Sequence, residues 1–319
     1  MKPPYEITSR ILHLVLSISE KIGEIKSARL IKPPTELRKR NRIKTIQSSL
    51  EIEGNTLTVE QITDLFNNKR VLAPEKDIVE VKNAIEVYSK LNKFNALNLE
   101  SLCQAHGVLM KGLIDNAGQL RRTSVGIAKG KEIAHIAPPG DIVRSLMNDL
   151  FQYLRENEDI LLVKSCVFHY EFEFIHPFTD GNGRMGRLWQ TIILKNYSPV
   201  FEYLPIETLI KERQQDYYTI LGIADSQGNS TGFIEFMLDI INIALEDLLK
   251  TQNHTISNSD RIDLFRNIIG TKSFTRQDYL RHNKEISSAT ASRDLKQAVD
   301  KSIIEKTGDK RLTKYKFIV

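Results

Sequence analysis

The chain has 319 residues, 41% of them hydrophobic and 27% charged, with 45 Lys and Arg against 40 Asp and Glu. These are the proportions of a soluble globular protein with enough chain for two or three domains, and they exclude fibrous and disordered classes. No run approaches the ~18 apolar residues of a membrane span.

In chain order, Met1-Lys2-Pro3-Pro4-Tyr5 carries no apolar signal stretch, so a cytoplasmic location is expected. Pro33-Pro34 breaks the chain, and Thr35 caps a helix through Leu37, Ile43, Ile46 and Leu50 that stops at Gly54-Asn55. Thr58-Val59-Glu60-Gln61 has capping-box spacing and opens a short helix to about Asn68. Further helical patterns cover 76–92, 98–111, 141–156, 158–175, 183–196, 207–225 and 231–251. Cys103 and Cys166 fall singly inside two of them, as core thiols of a reducing compartment would, and no Cys/His cluster has zinc spacing. Between helices, Val125-Gly126-Ile127 and Ile133-Ala134-His135-Ile136 flank Lys129-Gly130-Lys131, which predicts a β-hairpin closed by Pro138-Pro139.

Residues 251–319 stand apart by charge. They carry fourteen Lys and Arg against eight Asp and Glu, whereas the other 250 residues carry thirty-one against thirty-two. Helices are predicted over 259–269, 275–283 and 287–301, then two short strands, 303–306 and 314–319, joined by a turn at Thr307 to Arg311. Three helices followed by a basic hairpin is the winged-helix pattern. Its third helix, with Ser287, Ser288, Thr290, Ser292, Arg293 and Lys296, has short polar and basic side chains that suit a DNA groove. Packing against a protein partner is the other use of such a unit.

The most informative stretch is His176-Pro177-Phe178-Thr179-Asp180-Gly181-Asn182-Gly183-Arg184-Met185-Gly186-Arg187, a polar loop between two apolar helices. A Gly-rich turn at a helix start presents backbone N–H groups and the positive dipole end to an anion. Arg184 and Arg187, three apart, share one side of the first turn, and guanidinium groups bind phosphate oxygens bidentately. Asp180 suits a Mg²⁺ ion that takes its other ligands from phosphates. His176, with an ordinary pKa near ~6.5, suits a general base. Together these groups describe phosphoryl or nucleotidyl transfer.

This string resembles the Fic family motif, H-x-F-x-D/E-G-N-G-R-x-x-R, at every specified position. The resemblance implies transfer of AMP from ATP to a hydroxyl side chain of a target protein. It implies His176 as base, Asp180 as Mg²⁺ ligand, and Gly181, Asn182 and Gly183 as the anion hole. Arg184 and Arg187 would hold the β- and γ-phosphates, with Gly186 counted among the phosphate-binding residues and Phe178 as a core anchor. Phosphorylating relatives replace the second nest glycine by lysine and lack the final arginine; this chain keeps Gly183 and Arg187. A phosphocholine-transferring relative also exists.

Three further stretches fit the same family. Ser49-Leu50-Glu51-Ile52-Glu53-Gly54-Asn55 matches its inhibitory motif, S/T-x-x-x-E-G/N, which implies that Glu53 pairs with Arg187 where the γ-phosphate belongs. The same glutamate could position a water for AMP removal. Residues 123–139 would be the flap that aligns an extended target segment by strand addition. Asp216-Tyr217-Tyr218 resembles the wall of the adenosine pocket, where a tyrosine either stacks on the base or packs in the core. Gly118-Gln119-Leu120-Arg121 resembles the turn into the flap and is read as structural.

The expected architecture is therefore mainly α: a Fic-type helical bundle with a β-hairpin flap, plus a C-terminal winged helix. The expected division is 1–75, an N-terminal helical region with the inhibitory helix; 76–252, the catalytic core; and 253–319, the winged-helix-like domain. The expected activity is protein AMP transfer, self-modification included, with Mg²⁺ as cofactor, Ser49 and Glu53 as inhibitory residues, and a homodimer compatible with the chain. The alternatives are a DNA-binding regulator with a nucleotide-sensing domain, a de-AMPylase, or another nucleotidyl or phosphocholine transferase.

Overall fold

The computed structural model describes residues 2–27, 35–124, 126–129, 132–254, 258–283, 286–309 and 313–318. The predicted break at Pro33-Pro34, the hairpin residues Val125, Gly130 and Lys131, and Lys310, Arg311 and Val319 lie outside them. The chain divides into two compact units, Met1–Leu249 and Lys250–Val319.

The first unit is helical apart from one hairpin. It runs α1 (Ser9–Ser27), α2 (Thr35–Ile52), α3 (Val59–Phe66), α4 (Glu75–Ser89), α5 (Leu99–Leu109), β1 (Gly126–Lys129), β2 (Glu132–Ile136), α6 (Val143–Glu156), α7 (Leu161–Ile175), α8 (Asn182–Tyr197), α9 (Ile206–Glu212), α10 (Gln214–Gln227) and α11 (Thr231–His254). The Thr58 capping box is formed as its spacing predicts. The Thr58 hydroxyl accepts from Gln61 N–H, and the Gln61 side chain accepts from Thr58 N–H. The hairpin is antiparallel, pairs Gly126 with Ile136 and Lys129 with Glu132, and has a register irregularity between Ile127 and Ala128.

α7 and α8 form the centre. Their large apolar residues, Phe168, Phe172, Leu188 and Trp189 among them, are fully buried, and Trp189 Nε1 donates to Ala96 O at 3.2 Å. Burying each such side chain contributes roughly 1.5–3 kcal/mol, so these two helices are the rigid bed from which the loop between them is presented.

Two elements differ from the sequence reading. α1 is absent from the predicted helices, although Ile11, Val15, Ile18, Ile22 and Ile25 fall on one helical stripe and are all buried. The helix predicted over 207–225 is two, broken at Arg213 (φ −112°, ψ 33°). α9 lies on α2, with Ser48 and Thr208 hydroxyls 3.2 Å apart and Lys211 paired with Glu51 at 2.6 Å. α10 instead delivers Tyr217 to His169 on α7, at 3.1 Å. One straight helix could not meet both surfaces, and Arg213 anchors the bend through Asp239 at 2.9 Å.

The second unit runs α12 (Asn258–Ile269), α13 (Arg276–His282), α14 (Ser288–Asp300), β3 (Ile304–Thr307) and β4 (Lys314–Phe317). β3 and β4 pair antiparallel, and Phe274 bridges to Tyr315. Phe265, Phe274, Tyr279, Leu295 and Phe317 form its core. A buried Asp294 accepts two bonds from Arg261, at 2.7 and 3.0 Å, and one from Tyr279.

Candidate functional site

The polar loop begins where α7 ends. His176 takes the left-handed conformation (φ 50°, ψ 60°) as the C-cap, which breaks the helix there and turns the chain back. Gly181, also left-handed (φ 81°), caps the start of α8. Between them the loop is held from inside. Asn182 turns its side chain away from the nest: Oδ1 accepts from Phe178 N–H and Nδ2 donates to Phe178 O, both at 2.9 Å. It therefore staples the loop, and only its backbone remains to the anion hole.

Two residues that the sequence reading did not assign to the site hold this loop in place. His106 on α5 stacks on Phe178 with ring centroids 3.6 Å apart and planes 4° from parallel. Its Nδ1 accepts from Gly118 N–H at 2.8 Å, so Nε2 is the donor to Asp180 O at 3.0 Å. Burial pushes its pKa down to about 4, which keeps the ring neutral and this tautomer in place. Arg121 is buried and caps the end of α7. It donates to His176 O at 2.7 Å, Ile175 O at 3.0 Å, and Thr123 O and Pro138 O at 2.7 Å, while its own N–H donates to Pro177 O. The structural role read for 118–121 thus extends to the root of the hairpin and to the backbone of His176 itself.

The two arginines lie on the first turns of α8, both buried. Arg184 pairs with Glu80 at 3.0 Å and with Asp180 at 3.2 Å. Arg187 donates to Glu53 Oε1 at 2.7 Å, to Ser49 O at 2.8 Å and to Ser49 Oγ at 3.1 Å. Burial would lower the Arg187 pKa, but the Glu53 carboxylate bonded to it more than offsets this and holds it above its ordinary value. The residues that the sequence spacing put at the end of α2 therefore meet the arginine that the loop put on α8.

Gly183 shows where the Glu53 carboxylate lies, because a Cβ there would run into Glu53 Oε1 and approach Arg187 Nη1 at 3.2 Å. The carboxylate rests directly on the nest. Gly186 faces the other way: a Cβ would meet Glu173 Oε1 at 2.5 Å and His169 Cδ2 at 3.1 Å. That residue serves the close approach of α7 and α8, one turn away from the anion hole.

Of the two tyrosines, Tyr217 is fully buried with its hydroxyl on His169 and three phenylalanine or tyrosine rings around it, so its side chain is a core element. Tyr218, beside it in an edge-on arrangement, is 36% exposed. Stacking on a ligand is left to Tyr218.

Asp180 is the carboxylate of the loop most open to a cation. Asp180 has a side chain 51% exposed, bonded to Gly181 N–H at 2.6 Å and to Arg184. Among the described residues no group of three or more His, Cys, Asp or Glu gathers around a metal position. A single open carboxylate beside an anion nest fits Mg²⁺, which keeps waters and substrate phosphates as its other ligands.

A loop that presents backbone N–H groups, two buried arginines and a histidine at its entrance defines a Fic-type site, and the comparisons with known proteins agree. Residues 96–194 match the Fic/DOC family. The structure superposes on that of a Fic family protein from Desulfovibrio desulfuricans G20 with a TM-score of 0.77 and 41% identity, over 100% of this chain and 98% of that one. The chain belongs to the Fic family. It is 28% identical over 219 residues to protein adenylyltransferase Fic of Culex quinquefasciatus and 25% identical over 233 residues to protein adenylyltransferase fic-1 of Caenorhabditis elegans. These matches span 64% and 67% of this chain but only 41% and 43% of the relatives. The Caenorhabditis elegans structure, at 18% identity and a TM-score of 0.60, shares the fold.

Proposed function

We propose that this chain transfers AMP from ATP to a Ser, Thr or Tyr hydroxyl of a target protein, and that Glu53 restrains it. The observation that carries this reading is the Glu53 carboxylate resting on the Gly183 nest and paired with Arg187, where an anionic ligand belongs. His176, fixed through its carbonyl by Arg121, takes the proton from the attacking oxygen. The backbone of 181–183 and the two guanidinium groups bind the phosphates and stabilise charge as the α-phosphate is attacked and pyrophosphate leaves. A bound Mg²⁺, held by Asp180, would supply further charge neutralisation on the phosphates. Glu53 occupies the arginine and repels the anion, which is how it restrains the reaction. A target segment would add to the β1–β2 hairpin, and the chain's own hydroxyls are candidate targets when none is supplied.

The test uses full-length Glu53→Gly with ATP labelled in the α- or the γ-phosphate. Label retained on protein from the α-position only is the expected result. His176→Ala should abolish it while ATP binds within about threefold of the parent, because the base acts on the hydroxyl and not on ATP. Retention of γ-label would replace the reading by phosphorylation. Absence of label on the chain and on lysate proteins would sink it.

A second reading concerns Lys250–Val319, which we propose is a winged helix that binds DNA. The outward side of α14 exposes Ser288, Arg293, Lys296 and Gln297, and Arg276 reaches Ser292 at 3.0 Å beside it. Duplex DNA should retain the full chain at about 50 mM salt and lose it steeply by 200 mM as counterions are released. No retention at low salt would leave protein contact as the use of this face.

A further inference from the structure

Glu80 stands outside the catalytic loop and outside the segment that carries Glu53, yet it touches both. It lies on α4 and is 6% exposed. One oxygen accepts from Arg184 Nη1 at 3.0 Å and the other from Asn55 Nδ2 at 2.8 Å. Asn55 belongs to the end of α2. Its N–H donates to Leu50 O at 3.1 Å, its Oδ1 accepts from Leu57 N–H at 3.1 Å, and its Nδ2 also reaches Asp77 O at 3.2 Å. Arg184's other partner, Asp180, is half exposed and open to water.

A buried ion pair adds little net stability, because desolvating both charges cancels most of their attraction. What it supplies is geometry. A guanidinium bonded to a fixed carboxylate has one orientation, while one bonded only to an exposed carboxylate samples several. The Glu80 carboxylate is itself fixed because both oxygens are bonded, each to a different element.

We propose that Glu80 is the positioning residue for Arg184, and that the Asn55–Glu80 hydrogen bond conveys the placement of the 49–55 segment to that arginine. Both nest arginines then answer to the same segment: Arg187 directly through Ser49 and Glu53, Arg184 at one remove through Asn55 and Glu80. This rests on the reading of the nest as the site of the ATP phosphates.

The experiment measures ATP binding by calorimetry in EDTA, and KM and kcat with Mg²⁺, on full-length Glu53→Gly alone and with Glu80→Gln, Asn55→Ala or both. Glu80→Gln keeps the side-chain size and an oxygen for Asn55 but drops the charge on Arg184. It should weaken ATP binding and raise KM by about 10-fold or more, with kcat within about threefold. Asn55→Ala should weaken binding by about threefold, and the double variant should be no worse than Glu80→Gln, because Asn55 acts through Glu80. ATP affinity within about twofold of the parent in Glu80→Gln, at an unchanged melting temperature, overturns the positioning role. Additive losses overturn the link through Asn55. Should Glu80→Gln fail to fold, Asn55→Ala decides alone, and unchanged affinity there overturns the proposal. Failure of the Glu53→Gly parent to bind ATP removes the phosphates from the site and both readings with them, which is distinct from a parent that binds and variants that match it.

Discussion

Removing the Glu53 side chain isolates the contact on which the proposed restraint depends. Glu53 lies 2.7 Å from a guanidinium whose side chain is 1% exposed, and is itself 28% exposed. A charge-assisted hydrogen bond in such a place is worth roughly 1.5–3 kcal/mol, which is about 10- to 150-fold in an equilibrium constant. On the proposed function ATP breaks this contact before its γ-phosphate uses Arg187, so Glu53→Gly should tighten ATP binding by at least about 10-fold. Glu53→Gln, which keeps the bulk on the nest but drops the charge, should fall between the two. The substitution also has a cost. Among the described residues Arg187 then keeps Ser49 O and Ser49 Oγ as direct partners, so the ligand-free variant should lose about 1–3 kcal/mol and melt lower, and ATP should restore more of that loss than it adds to the parent. Calorimetry with ATP and thermal melts with and without it give both quantities. In Glu53→Gly/Arg187→Ala the gain should vanish, because the arginine is what the glutamate withholds. A folded Glu53→Gly that binds ATP within twofold of the parent, or a double variant that keeps the gain, refutes the reasoning.

Replacing Arg121 by Met strips four carbonyls, the buried one of Ile175 and the part-buried ones of Thr123, Pro138 and His176, of their donor. At about 1–3 kcal/mol for each acceptor left unsatisfied, partly relieved by water at the hairpin root, urea melts should show a loss above about 3 kcal/mol; a loss under 1 would mean that the carbonyls find other partners. Gly186→Ala should cost about 1–3 kcal/mol by forcing a methyl against Glu173 and His169, and pairing it with Glu173→Ala should recover part of that; simple additivity would place the clash elsewhere. Stability should peak between pH 5 and 6.5 and fall above it. Burial raises Glu173 to about 8 and Glu207 to about 7 from 4.5, so the unfolded chain releases protons that the fold retains, and stability present below pH 4.5 drains as pH climbs through those values. Burial lowers His106 to about 4 and His169 to about 3 from 6.5, which removes stability only as pH drops below 6.5. Between pH 6.5 and 8.5 these two carboxyls should therefore cost on the order of 3 kcal/mol in urea melts, and Glu173→Gln should remove about two-thirds of it; a flat or rising profile contradicts the assignment.

Local chemistry made most elements and the loop legible in the amino-acid sequence. The Thr58 cap, the apolar spacing of α7 and α8 and the glycines that start α8 act within a few residues of themselves, so their effects can be read from spacing alone. The apolar stripe of α1 is equally local, a signal present in the sequence. Glu53 and Arg187, 134 positions apart, were joined beforehand only by resemblance to a known motif. The rest needed the fold. His106 reaches Asp180 across 74 positions, Arg121 reaches His176 across 55 and Glu80 reaches Arg184 across 104, and each is an ordinary polar residue in an ordinary helix or turn until packing supplies its partner. The bend at Arg213 likewise has no signal in its own window, because it arises from α9 and α10 answering to different neighbours. Helix periodicity is a property of successive residues, whereas the partner of a buried charge depends on which helices pack together, and only the tertiary structure decides that.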